Sequence, residues 1–592
     1  MTTRSAAGAV VDFLEAAGVR LFFTVPGESF LELIDEVDRR PGLTLVSCRH
    51  ESGAAFMAEA VGKLTGRPAV AMATRAVGAA NLAIGVHTAR QDSTPMLVLL
   101  GQVETEHLGR EAFQEVDLPR FYAELTAHAE TVHRADRGGE AVARAYRMAT
   151  TGRPGPVMLA FPADVLAGPC PPAPPVVAPV AVGPDAGTAR QVAAMLRAAR
   201  RPVVIAGRGA QLDPEPVRRL AERFGLGVYT AFRRQDAFPD SHPQHIGHLG
   251  LGTPPALLEP LRAADVVVVL GSRLSEVTTQ AYELPLPSAR VIQVDPEPGS
   301  LGATVPVTVA VPCAVRPFVD AVLTADSALA ADAVLAADAV RADAVRADAV
   351  PAADVVTADG RAGLDRRVDW SQAHDTWARL AAVPETAASD SSDRGVHPAA
   401  VLGAMRRRLP ADAIVVNDAG NFAAFGHRYW RFDHPHTQVA PTSGAMGYAV
   451  PAAVGAWLAG DGATPVVALV GDGGFLMTGQ ELETAARLGT PILVVVFQNR
   501  LYGTIALHQA AGTGRPAAVD IGDVDLAGFA RSLGAAAVTV DHQDGLDDAF
   551  AAAAAFDRPR VVVVRTDPDV LTPGATLSGL LARHRPTGAT NR

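Results

Sequence analysis

Short runs of β-branched and aliphatic residues alternate with longer Ala-rich amphipathic stretches in three successive blocks, and this alternation narrows the possible folds more than any other feature. In the first block the apolar runs fall at 21–25, 44–48, 69–74, 96–100 and 157–161. In the second they fall at 203–206, 266–270 and 291–294, and in the third at 414–417, 466–470, 492–498 and 561–564. Runs of this length are strands buried on both faces, and the intervening stretches are crossover helices, so each block predicts βαβ units and a parallel sheet. The expected class is α/β, with three doubly wound parallel-sheet domains. A chain of 592 residues is in any case too long for one core.

The blocks place an N-terminal domain at 1–168, a central domain at 185–324 and a C-terminal domain at 395–570. A proline-rich connector at 169–184 joins the first two. The stretch 325–394 reads as a low-complexity, weakly helical linker, because Ala-Asp-Ala-Val recurs at Ala331, Ala337, Ala342 and Ala347. A step of five or six residues does not hold the valines on one helix face.

The net charge of -11 leaves no surplus of Lys and Arg to neutralise phosphates, which argues against a nucleic-acid partner. The three cysteines, Cys48, Cys170 and Cys313, show no Cys-x-x-Cys spacing, so neither a disulfide framework nor a thiolate zinc site is expected. No apolar run approaches the ~18 residues of a membrane span, and the N-terminus shows no secretion signal. The expected location is cytoplasmic, with no membrane partner.

The third block carries the chemistry. Val470-Gly471-Asp472-Gly473-Gly474-Phe475 follows a strand, and Asn499 closes the next strand 27 residues after Asp472. Open α/β sheets bind ligands at the carboxyl ends of their strands, where Asp472 and Asn499 would stand side by side. A carboxylate, an amide oxygen and the Leu501 carbonyl make a hard oxygen donor set suited to magnesium. Gly473 and Gly474 let backbone approach phosphate oxygens, and a helix is expected from about residue 479 to 488. Taken alone, a Gly-Asp-Gly triplet is more often a turn.

With its strand–triplet–helix–strand–Asn context and the following Tyr502-Gly503, the sequence resembles the thiamine diphosphate-dependent enzymes, in their acetolactate synthase-like branch, from about Ser5 to Leu571. The resemblance implies thiamine diphosphate and Mg2+ as cofactors, with Asp472, Asn499 and Leu501 as metal ligands. Gly27, Asn81, Gly420, Asn421, Gly444, Gly473, Gly474 and Gly503 are then cofactor-binding positions. It assigns Glu51, in Arg49-His50-Glu51-Ser52-Gly53, to proton management at the aminopyrimidine ring, Met446 to the wedge between the two cofactor rings, and Gln114 to the reacting centre. It further implies a 2-oxo acid substrate and a homodimer or homotetramer, with each site built from Glu51 of one subunit and Asp472 of the other.

The substrate side departs from the acetolactate pattern. An acceptor-binding arginine falls on Val277, a tryptophan on His508, a glycine on Glu28, and a Gly-Pro on Ala76-Val77. In the central block, Gly207-Arg208-Gly209, Gly271-Ser272-Arg273 and Asp295 form a weak dinucleotide signature, for which FAD, ADP and no ligand all stay open. The expected function is therefore decarboxylation of a 2-oxo acid with acyl transfer. The alternatives are a simple decarboxylase, a flavin-using oxidase and a non-catalytic cofactor-binding subunit.

Overall fold

Each block folds around a six-stranded sheet whose strands are all parallel. In the computed structural model, which describes residues 4–346, 368–385, 394–460 and 462–584, the N-terminal sheet runs Thr44–Ser47, Leu21–Thr24, Ala69–Thr74, Met96–Gln102, Pro156–Pro162, His128–Thr131. The C-terminal sheet runs Gln438–Val439, Ile414–Asn417, Val466–Gly471, Leu493–Gln498, Arg560–Arg565, Ala536–Val540. Numbered by chain order within each domain, both sheets have the order 2-1-3-4-6-5. The central sheet differs: starting from Pro202–Ala206, its order is 3-2-1-4-5-6.

The central strands of all three sheets are buried on both faces, as their unbroken apolar runs require. Val266–Leu270, Met96–Gln102 and Leu493–Gln498 are buried at every position. All three cysteines are free and buried. Among the described residues, no helix is long and apolar enough to cross a membrane.

The chain divides into two compact units. One comprises Met1–Pro179, Ala381–Arg431 and His436–Arg592; the other comprises Val180–Leu380 and Phe432–Pro435. The central unit reaches further than its sequence pattern shows. Its helix Val315–Arg346 runs on into the Ala-Asp-Ala-Val repeats at Ala331, Ala337 and Ala342, and the repeat at Ala347 lies outside the described residues. Val334, the valine of the first repeat, is exposed, as a step that does not match the helix period demands. The segment around Ser371–Leu380, expected within the linker, instead belongs to the core of the central unit. Trp370 and Trp377 are buried, and Trp370 Nε1 donates to the Gly225 carbonyl at 3.0 Å.

In the first unit, one hydrophobic core is continuous between the N- and C-terminal domains. Helix Glu51–Thr65 lies against helix Ala449–Ala459 so closely that a Cβ on Gly455 would stand 2.3 Å from the Met57 carbonyl oxygen. At the end of this contact a lysine is buried. Lys63 Nζ lies 3.1 Å from Glu59 Oε1, 3.1 Å from Asp92 Oδ2 and 2.6 Å from the Ala440 carbonyl oxygen, and none of the three charged side chains is exposed. The Tyr448 hydroxyl and the Thr94 hydroxyl both donate to Glu59. Removing the ammonium from such a cluster leaves buried carboxylates without its compensation. Lys63→Met is accordingly expected to destabilise the fold by about 3–5 kcal/mol, read as a lower urea midpoint; an unchanged midpoint would refute this role for the ammonium.

Candidate active site

In the C-terminal sheet, strand order reverses between Ile414–Asn417 and Val466–Gly471, and the residues that leave these two strands flank the switch point where such sheets bind ligands. Asp472 follows the second strand directly and is itself the first residue of a helix, Asp472–Thr478, after which Glu481–Leu488 forms a separate helix. The helix expected from about residue 479 to 488 is present as Glu481–Leu488, an additional short helix precedes it, and the Gly-Asp-Gly triplet lies at the start of that first helix rather than in a free turn. Asp472 is buried; its Oδ1 accepts the Gly473 N–H at 2.9 Å and its Oδ2 the Arg500 N–H at 2.6 Å. Burial pushes its carboxyl up to about 6 against the pull of these backbone donors.

The Arg500 bond brings the end of strand Leu493–Gln498 beside Asp472, so Asn499 and Leu501 stand next to it as the spacing predicts. Asn499 Oδ1 accepts the Leu501 N–H at 3.1 Å, and 500–502 is pinned to 519–521 by the Tyr502 N–H to Val519 and the Ile521 N–H to Arg500. Close packing explains the glycines here. A Cβ on Gly473 would stand 2.8 Å from the Tyr502 ring, and one on Gly503 would stand 2.3 Å from Asn421 Oδ1. Asn421 itself is fixed by donation from Nδ2 to the Leu571 carbonyl at 2.9 Å. Gly420, Asn421, Asp472, Gly473, Gly474, Asn499, Leu501 and Gly503 therefore gather at one sheet edge. A buried carboxyl whose ionisation is held back by desolvation, beside an amide and a carbonyl oxygen, fits a hard divalent cation such as Mg2+.

The N-terminal sheet reverses between Leu21–Thr24 and Ala69–Thr74. Glu51 opens helix Glu51–Thr65, capped by His50, whose Nδ1 accepts the Ser52 N–H at 3.1 Å. Asn81, on helix Arg75–Asp92, donates from Nδ2 to Glu51 Oε2 at 2.9 Å. One turn earlier on that helix, a Cβ on Gly78 would stand 3.2 Å from Glu51 Oε1. Sequence reasoning named Glu51 and Asn81 separately; the structure joins them. Gln114 adopts a left-handed backbone (φ 62°), and its carbonyl accepts the Ala76 N–H at 3.2 Å, which places it at the start of the same helix. Gly27 packs against Thr74 at the end of the neighbouring strand.

The loop carrying Gly444 and Met446 is held from two sides. Asp418, fully buried, accepts the Gly447 N–H at 3.0 Å through Oδ1 and the Ala449 N–H at 3.1 Å through Oδ2. Asp92 accepts the Thr442 N–H at 3.1 Å and the Thr442 hydroxyl at 2.9 Å. Gly444 (φ 73°) and Gly447 (φ 78°) supply the left-handed turns between these anchors. Neither aspartate was singled out from sequence. Asp418 had a usable signal, since it follows a strand at the same sheet edge as Asp472; Asp92 had none.

On the substrate side, Glu28 does not bring an uncompensated charge. Arg75 Nη1 lies 3.2 Å from Glu28 Oε1 and donates to the Phe113 carbonyl. His508 is exposed on helix Gly503–Gly512. In the central unit, the loops with Gly207 and Gly271 meet at the switch point, where a Cβ on Gly207 would stand 2.4 Å from the Gly271 carbonyl oxygen and one on Gly271 2.5 Å from the Gly209 nitrogen. The mutual approach of the two loops accounts for these glycines.

Known proteins place the same segments in one family. The thiamine pyrophosphate enzyme N-terminal TPP binding domain matches residues 4–121, the central domain 189–322, and the C-terminal TPP binding domain 418–564. The chain is 31% identical to an acetolactate synthase of Mycobacterium bovis over 85% of its own length and 77% of the relative's. It is 30% identical to the acetolactate synthase isozyme 3 large subunit of Escherichia coli, covering 86% and 84% of the two chains. It is also 30% identical to a sulfoacetaldehyde acetyltransferase of Castellaniella defragrans, covering 92% and 89%. The chain belongs to the thiamine pyrophosphate (thiamine diphosphate) enzymes, in their acetolactate synthase-like branch.

Proposed function

We propose that this enzyme catalyses the Mg2+- and thiamine diphosphate-dependent decarboxylation of a 2-oxo acid, followed by transfer of the acyl unit to a second small molecule. The observation that carries the reading is the Glu51 carboxylate, oriented by Asn81 and packed against Gly78. A protein that only bound the cofactor would have little use for a positioned acid there. When bound, thiamine diphosphate supplies the nucleophilic carbon and the electron sink for loss of carbon dioxide.

The chain's own residues do the rest. Asp472 Oδ, Asn499 Oδ1 and the Leu501 carbonyl would hold the magnesium, and the backbone at Gly473, Gly474, Gly420, Asn421 and Gly503 would line the diphosphate. Glu51 would hold and move the proton at the pyrimidine ring, with Asn81 fixing its carboxylate. Met446 would wedge the cofactor rings apart, the Gly444 carbonyl would accept from the pyrimidine amino group, and Gln114 would face the substrate with Gly27.

The acceptor is not acetolactate synthase-like in its recognition. Val277 cannot pair with a carboxylate bidentately as an arginine does, and Arg75 is engaged by Glu28. Relatives named acetolactate synthase and sulfoacetaldehyde acetyltransferase are equally similar, so the shared element is acyl transfer. We further infer that the site is built across two subunits. Val77, Ile84, Phe113, Leu476, Met477 and Ile505, which lie beside the site residues in sequence, are all exposed. A second copy is the apolar surface that would cover them.

Glu51→Gln is expected to lower kcat for carbon dioxide release about 10²–10⁴-fold; wild-type turnover by that variant would sink the reading. Stripping metal with a chelator is expected to abolish activity and added magnesium to restore it. Asp472→Asn should raise the magnesium needed for half-activation by at least about tenfold, the effect of losing even an outer partner of a metal ligand. Mixing these two variants under subunit exchange, at a magnesium concentration low enough to leave Asp472→Asn silent, tests the shared site. Half of the dimers are then mixed and each has one intact site, so about a quarter of wild-type activity should return, whereas sites built within single chains would give none.

A further inference from the structure

Glu481 has no part in the chemistry described so far, yet it is a fully buried acid packed against the start of the Glu51 helix. It opens helix Glu481–Leu488 with no exposed surface. Its Oε1 accepts two successive backbone N–H groups, from Arg49 and His50, each at 3.0 Å, and its Oε2 accepts the Thr484 hydroxyl at 2.7 Å. Arg49 and His50 are the two residues immediately before Glu51. Gly53, in the first turn beyond Glu51, is glycine because Glu481 fills the space: a Cβ there would stand 2.4 Å from Glu481 Oε1.

The same helix grips that strand-to-helix junction twice more. Arg487 donates to the Ser47 carbonyl, and Glu483 lies 3.2 Å from Arg49 Nε. These two contacts are partly exposed and contribute little each. Burying Glu481 instead costs free energy, visible as a carboxyl pushed above its usual range by desolvation. If the junction needed only to be filled, an apolar side chain would do so without that cost. A carboxylate that accepts from two consecutive amides does something a Leu cannot: it fixes the extended backbone of His50 (φ -153°, ψ 146°), and so the direction in which the helix and Glu51 start.

We propose that Glu481 is the positioning residue for Glu51, acting as a backbone clamp that sets where the Glu51 carboxylate stands. The proposal rests on the reading of Glu51 as the proton-handling acid. The acceptor geometry matters and the charge does not, because both donors are neutral amides.

The test uses the full chain and four variants: Glu51→Gln as control, Glu481→Leu, which keeps volume but removes the acceptor, Glu481→Gln, which keeps an acceptor, and Gly53→Ala, which displaces an intact Glu481. In cofactor-free protein, amide hydrogen exchange at 47–52 should rise in Glu481→Leu and Gly53→Ala and stay near wild type in Glu481→Gln. With magnesium and thiamine diphosphate bound, exchange of the C2 proton for deuterium should slow at least about tenfold in the first two, since displacements near 1 Å cost as much as 10²-fold. Cofactor Kd should stay within about threefold in both, because the diphosphate and metal residues are untouched, and Glu481→Gln should exchange within about threefold of wild type. A purely structural tie would change Kd and C2 exchange together, or neither.

The clamp is overturned if Gly53→Ala and Glu481→Leu exchange the C2 proton at the wild-type rate, or if Glu481→Gln fails as badly as Glu481→Leu. Should Glu481→Leu not fold, Gly53→Ala decides alone. Slow exchange in Glu51→Gln with normal exchange in the clamp variants rejects the clamp only. Normal exchange in Glu51→Gln rejects the reading of Glu51, and the clamp with it.

Discussion

Helix Glu51–Thr65 and helix Ala449–Ala459 touch through backbone rather than through long side chains, and the placement of the Glu51 and Gly444–Met446 segments within the chain depends on that contact. The second helix reads Ala-Val-Pro-Ala-Ala-Val-Gly-Ala-Trp-Leu-Ala, and its small residues let the helices meet where Gly455 faces the Met57 carbonyl. At such a distance there is little freedom to slide, since interiors are close-packed and any shift opens voids or clashes. The buried ammonium of Lys63 then fixes the far end of the contact through Glu59, Asp92 and the Ala440 carbonyl. Asp92 reaches on to Thr442, so the register of the two helices passes directly to the loop with Gly444 and Met446.

The sheets were legible in the sequence because a strand buried on both faces must be apolar throughout, and few other segments are. The candidate site residues at strand ends were legible for a related reason: Asp472 and Asn499 each follow a buried strand, where a polar residue stands out. Helix boundaries inside the site were harder. The sequence Gly-Asp-Gly-Gly reads as a turn by its composition, and only the hydrogen bonds of the fold make Asp472 the first helical residue. Low complexity similarly hid the role of Trp370 and Trp377, whose partners at Gly225 and His245 are more than a hundred positions away.

Buried acids were the least legible class. Glu59, Asp92, Asp418 and Glu481 occupy ordinary helical or loop positions, and their burial comes from segments distant in the chain. Glu481 sits among Glu and Arg residues that suggest a solvated helix face, and its ligands, the amides of Arg49 and His50, carry no side-chain signature at all. The substrate side shows the reverse problem. Glu28 reads as an unusual charge until Arg75, which follows the neighbouring strand, is seen to neutralise it. A pairing of this kind offsets the local charge while changing the shape offered to a substrate.

The shared core of the two outer domains has a consequence for how the chain is made. Met57 and Gly455 are separated by the whole central unit, so at ribosomal speeds of ~5–20 residues per second the face of helix Glu51–Thr65 that contacts Gly455 waits roughly 20–80 s for its partner. During that wait the same face presents Phe56, Met57 and Ala60 to the cell. Glu59 and Lys63, one turn apart on this helix, then have Thr94 and Asp92 beside them but still lack Tyr448 and Ala440, so they stand as partly hydrated charges flanking an apolar stripe, which is the arrangement that discourages aggregation. The cluster that fixes the finished site would thus first serve the nascent chain as a solubility guard, and its burial would mark the moment at which the two outer domains become one body.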